Sequence, residues 1–158
     1  MKNLSNIGLD LEKSHTLANL LDDLLANYSI FYQNVRGYHW NVKGEKFFEL
    51  HSKFEELYNI LFVNIDNVAE RILCLGHAPE HKYINYLKRS SIDESNNVAD
   101  GYKAVQEILN DFKVLLEKQR YIIAFSYDVK DEGTNSQISD HVRDHEKLVW
   151  MYSAFLKK

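Results

Sequence analysis

Five side chains able to hold a hard or borderline cation, His39, His51, Glu55, Asp66 and Glu70, fall into two groups along one stretch of the chain. His51 and Glu55 are four residues apart, as are Asp66 and Glu70, and residues at that spacing lie on one side of an α-helix. Each pair can chelate. Glu55 and Asp66 are eleven apart, about three turns at ~3.6 residues per turn, so both pairs share a stripe of one long helix. The two pairs cannot meet within one chain. From His51 to Asp66 is roughly 22 Å at ~1.5 Å per residue, whereas ligands lie within about 2–2.5 Å of their ion. A two-fold axis near Ile60 and Leu61 resolves the geometry by laying the helix against its antiparallel copy. His51 and Glu55 of one chain then face Asp66 and Glu70 of the other, an isologous contact with a site at each end. His39 joins from the preceding helix, because the reversal at Lys43-Gly44-Glu45 brings it level with His51.

The donor set selects the ion. Carboxylate oxygens suit Fe(II) and stabilise Fe(III), while neutral imidazoles add borderline nitrogen donors and leave positions open for an oxidant. Iron is the expected metal, at a site shared between two subunits. Zn(II) is the expected competitor, because it stands above Fe(II) in the affinity order for such donors. The bland alternative is a solvated helix face, the usual meaning of charges four apart.

The periodicity that must position these residues is helical throughout, which predicts an all-α fold. Leu17, Leu20, Leu21, Leu24, Leu25, Tyr28, Phe31, Tyr32 and Val35 recur at threes and fours, giving a first helix over roughly 10–42, closed near Gly44. A second helix over about 47–75 is stopped by Gly76 and Pro79. A long connection follows, with a short helical candidate at 83–88. The next long helix is expected over 97–129, and Thr134 with Gln137 reads as the capping box of the last. Four long helices with one long crossover make a four-helix bundle, the architecture that houses di-iron carboxylate sites.

Composition sets the bounds. The 158 residues are one domain's worth, and 45% hydrophobic residues with one Pro and six Gly describe a helix-rich globule. A lone cysteine, Cys74, points to the reducing cytoplasm and rules out a disulfide framework. There is no apolar run of signal-peptide or membrane-spanning length, so no membrane partner is expected. The net charge of −4 argues against generic nucleic-acid binding.

Three segments carry a likeness to a known family: Tyr38-His39-Trp40-Asn41-Val42-Lys43-Gly44, Phe47-Phe48-Glu49-Leu50-His51, and the run from Asp66 through Ala69-Glu70-Arg71. Over nearly its whole length, 1–158, the chain resembles the Dps-type mini-ferritins of the ferritin-like superfamily. The resemblance implies that His39, His51, the acid at 55, Asp66 and Glu70 form a ferroxidase centre across the dimer two-fold. It also implies a hollow homododecamer that oxidises Fe(II), prefers hydrogen peroxide, stores ferric mineral and protects the cell and its DNA. Trp40, by itself a core aromatic, is implied to supply an electron when peroxide is reduced. Asp128, Asp131 and Glu132 are implied to line acidic pores that focus cations inward; a solvated turn is the other reading. Two departures stand out. Glu55 replaces the usual Asp, lengthening one ligand arm by a methylene. In place of a lysine-rich tail there are only Lys2 and the closing Lys157-Lys158, so a nucleoid protein that coats DNA directly is the secondary reading.

Smaller features read as structure. His141 and His145, four apart beside Asp140 and Asp144, could chelate an ion, but a hydrated surface is the expectation. His77 and His81 straddle Pro79, so no helical turn presents them together. Cys74 reads as a small apolar filler near a helix end.

Overall fold

The computed structural model describes residues 3–157, so Lys2 and Lys158 of the two chain ends lie outside the described residues. Five helices follow one another: α1 (Leu11–Asn41), α2 (Phe47–Cys74), the short α3 (Tyr83–Arg89), α4 (Gly101–Asp128) and α5 (Glu132–Leu156). Among the described residues the only β-pairing is two isolated bridges, Leu4 with Asp10 and Lys43 with Asp100. The fold is all-α. Helix α1 packs on α2 and on α4, α4 packs on α5, and α3 lies over α1. The shared core is built from the expected stripes, with Leu17, Leu21, Leu24, Phe31 and Val35 meeting Phe54, Leu57, Leu61, Ile108, Phe112 and Ile138. Phe31 and Phe112 meet edge to face at 5.1 Å, the geometry aromatic pairs prefer.

The helix ends are where local chemistry and expectation part. The second helix stops as the sequence indicates. Gly76 takes φ +86° and donates to the Leu73 carbonyl, while His77 donates to Ile72, the paired bonds of a Schellman cap. The fourth helix begins at Gly101 rather than 97, because the Asp100 carboxylate accepts from the Lys103 N–H at 2.7 Å and makes the cap. The last helix begins at Glu132, two residues before Thr134. Its cap is Asp131, which accepts from the Thr134 N–H at 3.0 Å. The Thr134–Gln137 capping box does not form: Thr134 is wholly buried, and the Gln137 amide nitrogen is buried without a partner.

Helix α4 ends in the same cap as α2, with Lys130 donating to Tyr127 and Asp131 to Ser126, but Lys130 holds the left-handed position at φ +62°. A side chain there crowds its own carbonyl, which glycine avoids. Lys130→Gly is therefore expected to stabilise the fold by about 1 kcal/mol, read as a rise in denaturant midpoint with unchanged slope.

The long crossover is strapped to α1 by two buried asparagines one heptad apart. Asn27 Oδ1 accepts from the Ser91 and Ile92 N–H groups at 2.9 and 3.2 Å. Asn34 Oδ1 accepts from Ser95 N–H at 2.9 Å while its amide donates to the Asp93 carbonyl at 2.9 Å. Together they satisfy the backbone of a segment that has no ladder of its own.

Inside the bundle sits a polar knot drawn from four helices. Tyr28 of α1 meets His141 Nδ1 at 3.0 Å and receives the Gln119 amide at 2.6 Å. His145 is met at Nδ1 by Gln119 and at Nε2 by Asn64, both at 3.0 Å. A neutral imidazole has one donor and one acceptor, so one of these two amides must present its oxygen. His145 and Gln119 are both 0% exposed. These histidines are thus core groups and not the hydrated pair expected from sequence, because α5 turns that stripe inward. Burial, with the neighbouring His141 ring second, holds the His145 imidazole down at about 3, and burial also lowers His141.

Candidate metal centre

His39 occupies the last turn of α1 and His51 the first turns of α2, on either side of the reversal in which Gly44 takes φ +103°. Glycine is suited to that conformation, and the turn it permits sets the two rings face to face. Their centroids are 3.8 Å apart with planes 19° from parallel. The rings are also cross-bonded: His39 Nδ1 lies 2.6 Å from the His51 carbonyl, and His51 Nδ1 lies 2.8 Å from the His39 carbonyl. A carbonyl only accepts, so both Nδ1 atoms carry a proton, and in the neutral ring the lone pair is therefore on Nε2. This is the tautomer a metal needs, fixed by backbone oxygens in the way outer partners fix ligating histidines. Phe47 stacks on the far side of His51 at 5.0 Å, and Tyr58 meets His39 edge-on at 5.4 Å. Neither aromatic was singled out from the sequence. Their signal was their helical register with His51, at four residues before it and seven after.

The carboxylates are arranged as the spacing demands. Glu55, Asp66 and Glu70 are all exposed, on a stripe of α2 that also carries Phe62, 59% exposed between the two acid groups. Val63 is exposed beside it, whereas Ile60 lines a groove against α5 with Phe48, Met151 and Phe155. His39 and His51 are thus brought together, with Glu55 one turn beyond His51, while Asp66 and Glu70 remain farther along the helix. Among the described residues, no three His, Cys, Asp or Glu gather closely enough to hold one ion within a single chain. One helix thus carries two groups of possible donors, with Phe62 exposed between them. Two imidazole nitrogens with hard carboxylates are a donor set that fits iron, and an Nδ1–H held by a carbonyl is the arrangement in which Nε2 can ligate.

The other candidates separate. Trp40 is not a core aromatic: it is 57% exposed, with the Arg36 guanidinium 4.8 Å from its ring centroid. Cys74 is exposed rather than a filler. Asp128 and Glu132 face solvent, but Asp131 does not. Its carboxylate is 3% exposed, capping α5 and ion-pairing with Arg71 at 2.7 Å, while Arg71 Nε donates to Thr134 Oγ1 at 2.8 Å. The acid at 131 is committed to joining α2 to α5, because a helix N-terminus attracts a carboxylate and an arginine beside it keeps it buried. No helix among the described residues is long and apolar enough to cross a membrane.

Known proteins resemble the chain along most of its length. The model of the ferritin-like domain matches residues 18–158. A DNA protection during starvation protein of Porphyromonas gingivalis is 34% identical over 157 residues, covering 99% of both chains. An uncharacterized protein of Haemophilus influenzae is 51% identical over 95% of this chain and 94% of its own. The crystal structure of a Dps protein from Vibrio cholerae O1, described as a member of the ferritin-like diiron-carboxylate superfamily, superimposes with TM-score 0.97 at 48% identity. It covers 99% of this chain and 98% of that one. A Dps protein from Bacillus brevis gives TM-score 0.89 at 34% identity, over 92% and 98% of the two chains. With its helical bundle and these likenesses along most of its length, the chain belongs to the ferritin-like family as a Dps-type mini-ferritin.

Proposed function

We propose that this mini-ferritin is a ferroxidase that oxidises Fe(II), with hydrogen peroxide as preferred oxidant, and stores the ferric product in a hollow dodecameric shell built from two-fold dimers. The observation that carries the reading is the reciprocal bond between the His39 and His51 rings and each other's carbonyls, which leaves both Nε2 atoms as free donors. Each site takes His39, His51 and Glu55 from one subunit and Asp66 and Glu70 from its mate. The exposed Phe62, between the two acid groups, and Val63 beside it are what a second copy would cover.

The chemistry follows from the donors. Fe(II) is the substrate, and the hard carboxylates favour its oxidised form, so binding itself drives electron loss toward the acceptor. Hydrogen peroxide takes two electrons and two protons and becomes two waters, with one electron from each of two ferrous ions. Removing both reagents together suppresses hydroxyl-radical formation, which would protect DNA without any contact to it. That suits a cytoplasmic chain with net charge −4 and is consistent with the name borne by the Porphyromonas relative. The exposed Asp128 and Glu132 are the acids that would draw cations to the shell, without Asp131.

The test is peroxide-dependent ferric formation in wild type and in Asp66→Ala. A fall of about 100-fold or more is expected, since even outer partners of a metal are worth 10–100-fold. Zn(II) should slow the wild type by competing for the same donors. Equal rates in wild type and variant would refute the site.

A further inference from the structure

The cap that ends α2 at Gly76 folds its next residue back over the last turn, and an apolar side chain is usual there because it packs on the helix it closes. Here that residue is His77, half-buried, with its N–H on the Ile72 carbonyl at 3.1 Å. Its Nε2 is covered by protein and has no hydrogen-bond partner. The packing of α1 against α2 sets the start of one beside the end of the other, and the ring that meets His77 is that of His15, exposed on the first turns of α1. The centroids are 5.1 Å apart with planes 54° from parallel. An ordinary ring contact accounts for that spacing but not for a covered nitrogen without a bond, and such an orphan in a native fold marks a place for water or an ion. Two imidazoles holding one tetrahedral ion at ~2.0–2.1 Å have centroids about 5 Å apart. His141 and His145 do not meet that condition. Their centroids are 6.2 Å apart, close to the span of a linear arrangement, and their nitrogens are engaged by Tyr28, Gln119 and Asn64.

We propose that His15 and His77 form a metal site apart from the iron centre, taking a borderline divalent ion such as Cu(II) or Zn(II), with water in the remaining positions. The inference does not rest on the iron-oxidising reading above. Two protein donors agree with the lack of any three-donor group among the described residues. Imidazoles without carboxylates suit Cu(II) and Zn(II) better than Fe(II), and Cu(II) stands highest in the affinity order. The acids where this loop meets α1 are committed elsewhere. Asp22 accepts from the Glu80 N–H at 3.0 Å and pairs with Arg89, while the Glu80 carboxylate accepts from the His81 and Lys82 N–H groups and from the Asn85 amide. His77 binds through its orphaned Nε2. On His15 the Asn19 side-chain amide meets Nε2 at 3.2 Å. With its oxygen turned to an Nε2–H, Asn19 holds the ring and leaves the Nδ1 lone pair to the ion, the service an outer partner gives a ligating histidine. An ion so held joins the start of α1 to the end of α2, so its binding stabilises the fold by mass action.

The experiment titrates Cu(II) into the assembled protein carrying His51→Ala and Asp66→Ala, which removes donors of the iron centre from the count. Electron paramagnetic resonance reads the bound copper and the nitrogens on it, and thermal unfolding reads the stabilisation. This parent is expected to bind about one copper per chain with the splitting pattern of two nitrogens, and to melt at a higher temperature when loaded. His15→Ala and His77→Ala should each weaken that binding by about 10-fold or more and remove the thermal shift, since even outer partners of a metal are worth 10–100-fold. His15 is exposed, so its replacement leaves the fold intact and keeps the test decisive if His77→Ala disturbs the cap. His81→Ala, in the same loop, should keep both the copper and the shift. A parent that binds no copper, copper with fewer than two nitrogens, binding unchanged in His15→Ala, or binding lost as fully in His81→Ala would each overturn the assignment.

Discussion

Co-assembly of two inactive chains, one carrying His51→Ala and the other Asp66→Ala, is expected to restore iron oxidation that neither shows alone. In a mixed two-fold pair both defects fall in one site, and the other receives its imidazoles from one chain and its acids from the other, all intact. Random pairing makes half of the pairs mixed and one site in two complete, so about a quarter of the wild-type rate should return. The test separates a shared site from a single-chain one. If His51 and Asp66 each served sites inside their own subunit, mixing would recover nothing. The expectation follows from the exposed, separated halves of α2 and from the lack of any three-donor group within one chain among the described residues.

Acid should unfold the bundle from its centre. The His145 imidazole is neutral in the fold and held at about 3 by burial, against about 6.5 for a free side chain. Its folded value lies below its unfolded one, so above pH ~6.5 neither state binds the proton and stability is unaffected. As pH falls from there toward 3, the unfolded chain takes up a proton that the fold refuses. The loss is on the order of 3–5 kcal/mol per chain by pH 3, with His141 adding in the same direction. That is a large share of a typical ~5–15 kcal/mol. Denaturant midpoints at fixed protein concentration from pH 7 to 4 should fall steeply for wild type and less steeply for His145→Gln. A wild-type profile as flat as the variant's would show that the imidazole is not the cause.

The fold and the site were legible to different depths. Periodicity located all four long helices and the short one in the crossover, because a buried stripe at threes and fours survives in composition alone. The helix starts were less legible. Thr134-x-x-Gln137 has the form of a capping box, yet Asp131 outcompetes it because its carboxylate both accepts from the Thr134 N–H and meets Arg71 across the bundle. A partner sixty residues away leaves no mark in a local window. The same reason hid the polar knot, since His141 and His145 look like any exposed pair until α5 is rolled onto Tyr28, Asn64 and Gln119. The imidazole pair was legible as to its members but not its bonding, because the mutual carbonyl contacts depend on the turn at Gly44. Trp40 was misjudged as a core aromatic because an indole next to a buried histidine usually points inward, and here one step of helical rotation turns it out beneath Arg36.

The face-to-face packing of His39 and His51 couples the two positions. Each ring bonds the other residue's carbonyl, which an alanine keeps, but His51→Ala removes the ring against which His39 stacks at 3.8 Å, and the His39 ring is then free to turn. Titrations of Fe(II) or Co(II) should therefore find single replacements weakening uptake by nearly as much as the double replacement. For evolution this is a ratchet: a centre that must be kept whole or abandoned whole, with no half-strength version for selection to tinker with.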